Sequence, residues 1–128
     1  MKKKILIVLA DYYSDISDGL LKSAKSRLKN LYSVKIIIVP GVFEIPLTIS
    51  KNKKKFDAFI ALGCVIKGQT PHFDFISHAS TNAIMQLSID CKKPIGNGII
   101  TCFNMKQAKV RMKKGAEAAN AVISIINQ

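Results

Sequence analysis

The chain has 128 residues, 48% of them hydrophobic, with 20 Lys and Arg against 8 Asp and Glu, three Cys and no Trp. That length supports one domain, residues 1–128, with a core of its own, and no apolar run nears the roughly 18 residues a membrane span needs. The net charge of +12 is carried almost wholly by Lys, with Arg27 and Arg111 the only arginines; specific readers of nucleic acid favour Arg for bidentate contacts, so this excess predicts weak, salt-sensitive adsorption of RNA and no specific nucleic-acid partner.

Lys4 to Leu9 is a continuous apolar run, the pattern of a parallel strand covered on both faces. Its Met1-Lys2-Lys3-Lys4 lead resembles a signal peptide, but the apolar core is short and Asp11 follows at once, so a buried first strand is the better reading. Ala10 to Asp15 forms a turn. Ile16 to Asn30 reads as a helix, with Ile16, Leu20, Leu21, Ala24 and Leu28 at three- and four-residue steps. Lys35 to Val39 is a second, β-branched strand, ended by Pro40-Gly41. Val42 to Ser50 starts the next helix with Pro46 near its first turn, where proline is tolerated. Lys51 to Lys55 is a solvated helix end. Phe56 to Leu62 is a third strand, and Phe75 to Asp90 a third helix. Ile95 to Thr101 is a fourth strand, whose Gly96 and Gly98 predict close approach of another backbone or a ligand. Asn104 to Arg111 and Lys114 to Ile126 are the last helical stretches, with a bend between them.

This β-α-β-α-β-α-β-α order predicts a three-layer α/β/α sandwich on a four-stranded parallel sheet, of the flavodoxin-like kind. Ligands of such sheets bind beyond the carboxyl ends of the strands. Between the third strand and third helix lies Gly63-Cys64-Val65-Ile66-Lys67-Gly68-Gln69-Thr70-Pro71-His72, a loop whose N–H groups and following helix dipole favour an anion. His72 stands at its mouth with an imidazole suited to proton transfer near neutrality. Tyr12, Glu44 and Arg111 belong to the other loops expected at that edge. Cys64, Cys91 and Cys102 are odd in number and lack a C-x-x-C pair, which fits reduced thiols and a cytoplasmic protein. His72 and His78, about 120° apart on a helix, share no face, so no metal site is expected. A mean hydropathy of +0.19 predicts that part of the apolar surface is covered in an oligomer.

Two stretches carry a resemblance to a known family. Val39-Pro40-Gly41-Val42-Phe43-Glu44-Ile45-Pro46 closely resembles the VPGAFEIP motif of the lumazine synthases, and Gly63 to Phe73 resembles their G-x-V-I-[RK]-G-x-T-x-H-[FY] motif. Pro94-Ile95, Gly98 to Thr101, Asn104, Gln107-Ala108 and Lys114 to Ala119 follow the family in the same order. The resemblance spans essentially the whole chain. It implies condensation of 5-amino-6-(D-ribitylamino)uracil with 3,4-dihydroxy-2-butanone 4-phosphate, with release of phosphate and water, in the penultimate step of riboflavin biosynthesis. It also implies that no cofactor and no metal is needed.

Carried over position by position, the resemblance implies that Tyr12 stacks on the pyrimidine. Val42, Phe43 and Glu44 hold the ribityl chain, and Cys64, Val65 and Ile66 meet the uracil edge through main chain. Gln69, Thr70 and Arg111 bind phosphate, His72 moves protons, and Lys114 supports the site. By their residue types alone, Tyr12 is as readily an ordinary turn tyrosine, Glu44 is more often a first-turn carboxylate, and Arg111 has the alternative of a solvated helix residue, although its being one of two arginines favours function. Cys64 reads as structural. There are departures. Asn97 stands where the family often presents an aromatic to the neighbouring subunit's site. Cys102-Phe103 replaces a common Thr-Glu. The segment between Arg111 and Lys114 lacks the Gly-Thr-Lys-Ala-Gly-Asn-like kink of shell-forming members, and the N-terminal extension is short, so a homopentamer with sites between subunits is expected.

Three other readings are weaker. A flavin- or nucleotide-binding module on the same fold predicts a Ser-, Thr- and Gly-rich loop after the first strand, and Ala10 to Asp15 has one Ser and no Gly. A basic RNA-binding domain predicts exposed aromatics interleaved with cations. A catalytically weak flavin- or lumazine-binding paralogue would not need His72 and Arg111 intact.

Overall fold

The computed structural model describes all 128 residues. Four strands form one parallel sheet: β1 (Lys4–Ala10), β2 (Ser33–Val39), β3 (Ala58–Ile66) and β4 (Ile95–Cys102), in the spatial order β2-β1-β3-β4. The helices are α1 (Ser14–Leu28), α2 (Ile45–Lys51), α3 (His72–Cys91), α4 (Met105–Lys109) and α5 (Lys114–Ile126), with a 3-10 turn at Val42–Glu44 before α2. This is the three-layer sandwich that the alternation of elements predicts.

Burial follows position in the sheet. The central strands β1 and β3 are buried almost throughout, whereas the edge strands β2 and β4 alternate in exposure. A central parallel strand is covered on both faces and must be apolar at every position. Alternate residues of one strand then serve two cores. Ile5, Ile7, Leu9, Ile60 and Leu62 pack with Leu20, Ala24, Ala119 and Val122 of α1 and α5. Leu6, Val8, Phe59 and Ala61 pack with Ile45, Ile49 and Ile84 of α2 and α3.

Two glycines let α5 lie close. A side chain on Gly96 would run into the carbonyl of Ala118, and one on Gly115 into the carbonyl of Leu20. The close approach expected at Gly96 is therefore that of another backbone. Gly19 of α1 likewise leaves room for the Met112 thioether, so the short turn between α4 and α5 is seated on α1. The first turn of α5 is held there too, its Ala116 N–H donating to Ser23 Oγ at 2.8 Å.

Some boundaries differ from the sequence reading. β3 continues four residues beyond Leu62, because Gly63 to Ile66 pair in register with Ile99 to Cys102. The loop is accordingly shorter, and α3 begins at His72, earlier than Phe75. The helix expected from Val42 to Ser50 is a 3-10 turn followed by α2, with Pro46 in the first turn of α2.

Candidate functional site

A cleft of about 740 Å³ opens beyond the carboxyl ends of β1, β2 and β3. Tyr12, Tyr13, Val42, Phe43, Glu44, Cys64, Val65, Ile66 and His72 are among the residues that line it. Each segment is placed by a local bond. Asp11 N–H extends the β1–β2 ladder to Val39 O at 3.0 Å. The buried Ser17 hydroxyl donates to Ala10 O at 2.6 Å, pinning the first turn of α1 to the end of β1. Tyr12 and Tyr13 lie between these anchors, their rings edge-to-face with centroids 4.9 Å apart. Tyr12 is 74% exposed, a free aromatic face at the cleft.

The 3-10 turn brings in the opposite wall. Val42 is buried and Phe43 is 65% exposed, so one residue anchors the turn and the next faces the opening. Gly41 leaves space that the Glu44 carboxylate occupies, with Oε1 standing 3.2 Å from where a β-carbon would be. Glu44 O accepts from the Thr48 hydroxyl at 2.9 Å. The carboxylate lies beside the backbone of Gly41 at the cleft wall.

His72 is exposed at the start of α3, and its backbone N–H reaches Thr70 Oγ1 at 3.4 Å. Lys67, Gly68, Gln69, Thr70 and Pro71 form the short exposed loop before it. Gln69 and Thr70 do not line the main cleft; they sit beside it, in chain continuity with His72.

Burial pushes the Cys64 thiol up to about 12, and the neighbouring Cys102 adds in the same direction. Such a thiol is neutral at physiological pH and a poor nucleophile. The Tyr13 hydroxyl is also raised, first by burial and then by Tyr12 and Cys64. Nowhere do three or more His, Cys, Asp or Glu side chains gather in a metal-binding group. No helix is long and apolar enough to cross a membrane.

Asn97, Arg111 and Lys114 are not in this cleft. They line a second groove of about 470 Å³ with Ile99, Ile100, Thr101 and Glu117. The separation follows from topology: β4 is an edge strand, and Asn97 pairs with Ala61 in the middle of the sheet's length, well before the strand ends. Asn97 Oδ1 accepts from its own strand's Ile99 N–H at 3.0 Å. Arg111 Nη1 donates to Thr101 O at 3.4 Å, which lays the guanidinium along the end of β4. Lys114 N–H bonds Arg111 O at 3.0 Å, so the two cations share one tight turn.

Of the residues singled out in the sequence, the fold thus gathers eight in one cleft and three in another. Tyr13, Pro40, Gly41 and Ile76 also line the first cleft and were not singled out. Ile76 lies four residues beyond His72, one helical turn along, a spacing that places it on the same face.

A model of the family described as 6,7-dimethyl-8-ribityllumazine synthase matches residues 2–128. The chain is 44% identical to a 6,7-dimethyl-8-ribityllumazine synthase of Bartonella tribocorum, over 98% of this chain and 91% of the relative. It is 45% identical to one of Bartonella bacilliformis, over 94% of this chain and 88% of the relative. With one of Agrobacterium fabrum the identity is 40%, over 98% and 93%.

Proposed function

The chain belongs to the 6,7-dimethyl-8-ribityllumazine synthase family, and from that premise we propose how its residues carry the reaction. The enzyme is a transferase that condenses 5-amino-6-(D-ribitylamino)uracil with 3,4-dihydroxy-2-butanone 4-phosphate, releasing phosphate and water, in the penultimate step of riboflavin biosynthesis. It binds small-molecule substrates and assembles as an oligomer.

The roles follow from what each group offers. The flat pyrimidine stacks on the exposed ring of Tyr12 and enters the slot between Cys64-Val65-Ile66 and Val42-Phe43. The ribityl hydroxyls donate to the Glu44 carboxylate. Gln69 and Thr70, at the N-terminal side of α3, receive the phosphate, where loop N–H groups and the helix dipole favour an anion. The uracil amine attacks the ketone carbon and water leaves to give an imine. Phosphate is then expelled, and attack of the second nitrogen closes the ring with loss of water. Each step needs a proton delivered or removed, and His72, exposed at the cleft between the slot and the phosphate loop, moves it. Holding the two reactants together supplies much of the remaining acceleration.

The observation that supports this reading best is the gathering of Tyr12, Val42-Phe43-Glu44, Cys64-Val65-Ile66 and His72 around one cleft. The second groove fits a site completed between copies. Asn97, Arg111 and Lys114 of one subunit would face the cleft of the next, with Arg111 gripping phosphate and Asn97 beside the pyrimidine without stacking on it. A ring of five copies, each residue 1–128 unit a single domain, satisfies this head-to-tail arrangement. The absence of a membrane-spanning helix and the free thiols agree with a cytoplasmic enzyme.

Mixing the purified protein with both substrates and following lumazine absorbance and fluorescence tests this reading. A rate well above the uncatalysed background is expected. A correctly assembled protein that gives only the background rate would overturn it.

A further inference from the structure

The β4–α4 corner carries an exposed aromatic that the roles above do not use. Phe103 is 62% exposed, yet its backbone is tied down and its ring meets two neighbours. Its backbone N–H donates to Gln107 Oε1 at 2.8 Å, and Gln107 N–H in turn donates to Asn104 Oδ1 at 2.9 Å, capping α4. The Lys67 ammonium nitrogen stands 5.3 Å from the centroid of the Phe103 ring. The Phe73 ring stands 6.4 Å from it at an interplanar angle of 34°. Lys67 N–H also donates to Cys102 O at 2.8 Å, one residue before Phe103.

The Phe103 ring therefore touches both ends of the loop that runs from β3 to α3. Lys67 is its first residue. Phe73 follows His72 in the first turn of α3. A cation above an aromatic face is attracted to the ring's electrons, and it keeps its outer side free for an anion. An aromatic pair at this spacing adds a directional contact of its own.

We propose that Phe103 is a positioning residue for the phosphate subsite: its ring holds the Lys67 ammonium at the mouth of the loop, making Lys67 a cation for the substrate's phosphate. This rests on the reading that the Gln69-Thr70 loop takes the phosphate. Lys67 supplies charge from the same subunit as that loop, whereas Arg111 comes from the second groove.

Steady-state kinetics of the assembled protein test it, with Lys67→Gln, Phe103→Leu and Phe103→Trp beside the wild type. Lys67→Gln raises KM for the butanone phosphate and the inhibition constant of inorganic phosphate roughly three- to fivefold, the scale of one exposed charge pair. The uracil KM and kcat stay within about twofold. Phe103→Leu gives the same two shifts, and Phe103→Trp, which keeps an aromatic face, restores them. Unchanged phosphate constants in an active Lys67→Gln enzyme would overturn the proposal, as would a Phe103→Leu variant that only melts earlier. Thermal stabilisation by inorganic phosphate needs no turnover and separates the two failures. If the wild type is inactive but phosphate stabilises it and not Lys67→Gln, the subsite stands and the functional reading falls. If phosphate stabilises both equally, the subsite proposal falls.

Discussion

A β-carbon on Gly63 would stand 2.8 Å from Cγ2 of Val42. The same β-carbon would be 3.0 Å from that of Ala10, so Gly63 is where the ends of β1 and β3 and the 3-10 turn close on one another. That missing side chain lets Val42, which lines the cleft, close against the strand ends. Gly63→Ala forces the Val42 turn outwards, with an overpacking cost of about 1–3 kcal/mol. KM for the ribitylaminouracil should rise while that for the butanone phosphate changes little. Melting temperatures and the two KM values measured together check this; equal effects on both substrates would count against it.

His72 lies at the surface, at the first position of α3, so its replacement leaves the core untouched. His72→Ala should therefore melt at the wild-type temperature while kcat falls by about 10²-fold, the lower end of what positioned acid–base groups contribute. A matched loss of stability would show instead that the imidazole holds the loop.

The raised Cys64 thiol makes an alkaline prediction. In the unfolded chain the thiol ionises near 9, but in the fold only at about 12. Between those values the unfolded state loses a proton that the folded state keeps, so stability present below pH 9 is lost progressively as pH rises towards 12. The raised Tyr13 acts in the same sense at higher pH. Cys64→Ala should flatten the fall in melting temperature between pH 9 and 10, on top of a pH-independent loss from truncating a side chain in the core. Because reagent must reach the sulfur, the partly exposed Cys91 should alkylate ahead of buried Cys64 and Cys102, which mass mapping would reveal.

Each chain carries a formal net charge of +12, an overall field that attracts anions. One substrate is a phosphate ester and the other is uncharged. Attraction of this kind is screened within about 8 Å at physiological salt. Raising ionic strength should thus lower kcat/KM for the butanone phosphate and leave that for the ribitylaminouracil nearly constant. Parallel slopes for the two would argue against steering.

Much of this architecture is legible in the residues. The unbroken apolar runs of β1 and β3 mark central parallel strands, and the glycines of β4 mark a close approach, which at Gly96 proves to be that of the α5 backbone. The reading stops β3 at Leu62 because Gly63 and Gly68 look like loop punctuation. Gly63 is in fact a strand residue whose small size serves a neighbour distant in sequence, and no local pattern reports that. Tyr13 is missed because the family resemblance points to Tyr12 beside it, while its own place at the cleft comes from packing on the core, which is not visible in the local sequence. Phe103 stands out in the sequence only as a departure from the family pattern; its partners Lys67 and Phe73 lie thirty or more positions upstream and meet it only because β3 and β4 are adjacent. The family resemblance singles out Asn97, Arg111 and Lys114, but their separation from the first cleft depends on β4 being an edge strand, which the order of elements alone does not fix.

The most direct test of the two-groove account is complementation. His72→Ala and Arg111→Ala chains are each assembled alone and then co-assembled in equal amounts, and lumazine formation is compared. If His72 and Arg111 of different copies complete one site, random mixing places an intact His72 cleft against an intact Arg111 groove at about one interface in four of a head-to-tail ring. The account predicts that the mixture recovers about that fraction of wild-type activity while each variant alone stays low. A mixture no more active than the mean of its two components would contradict it, and would place both residues in a site made by a single chain.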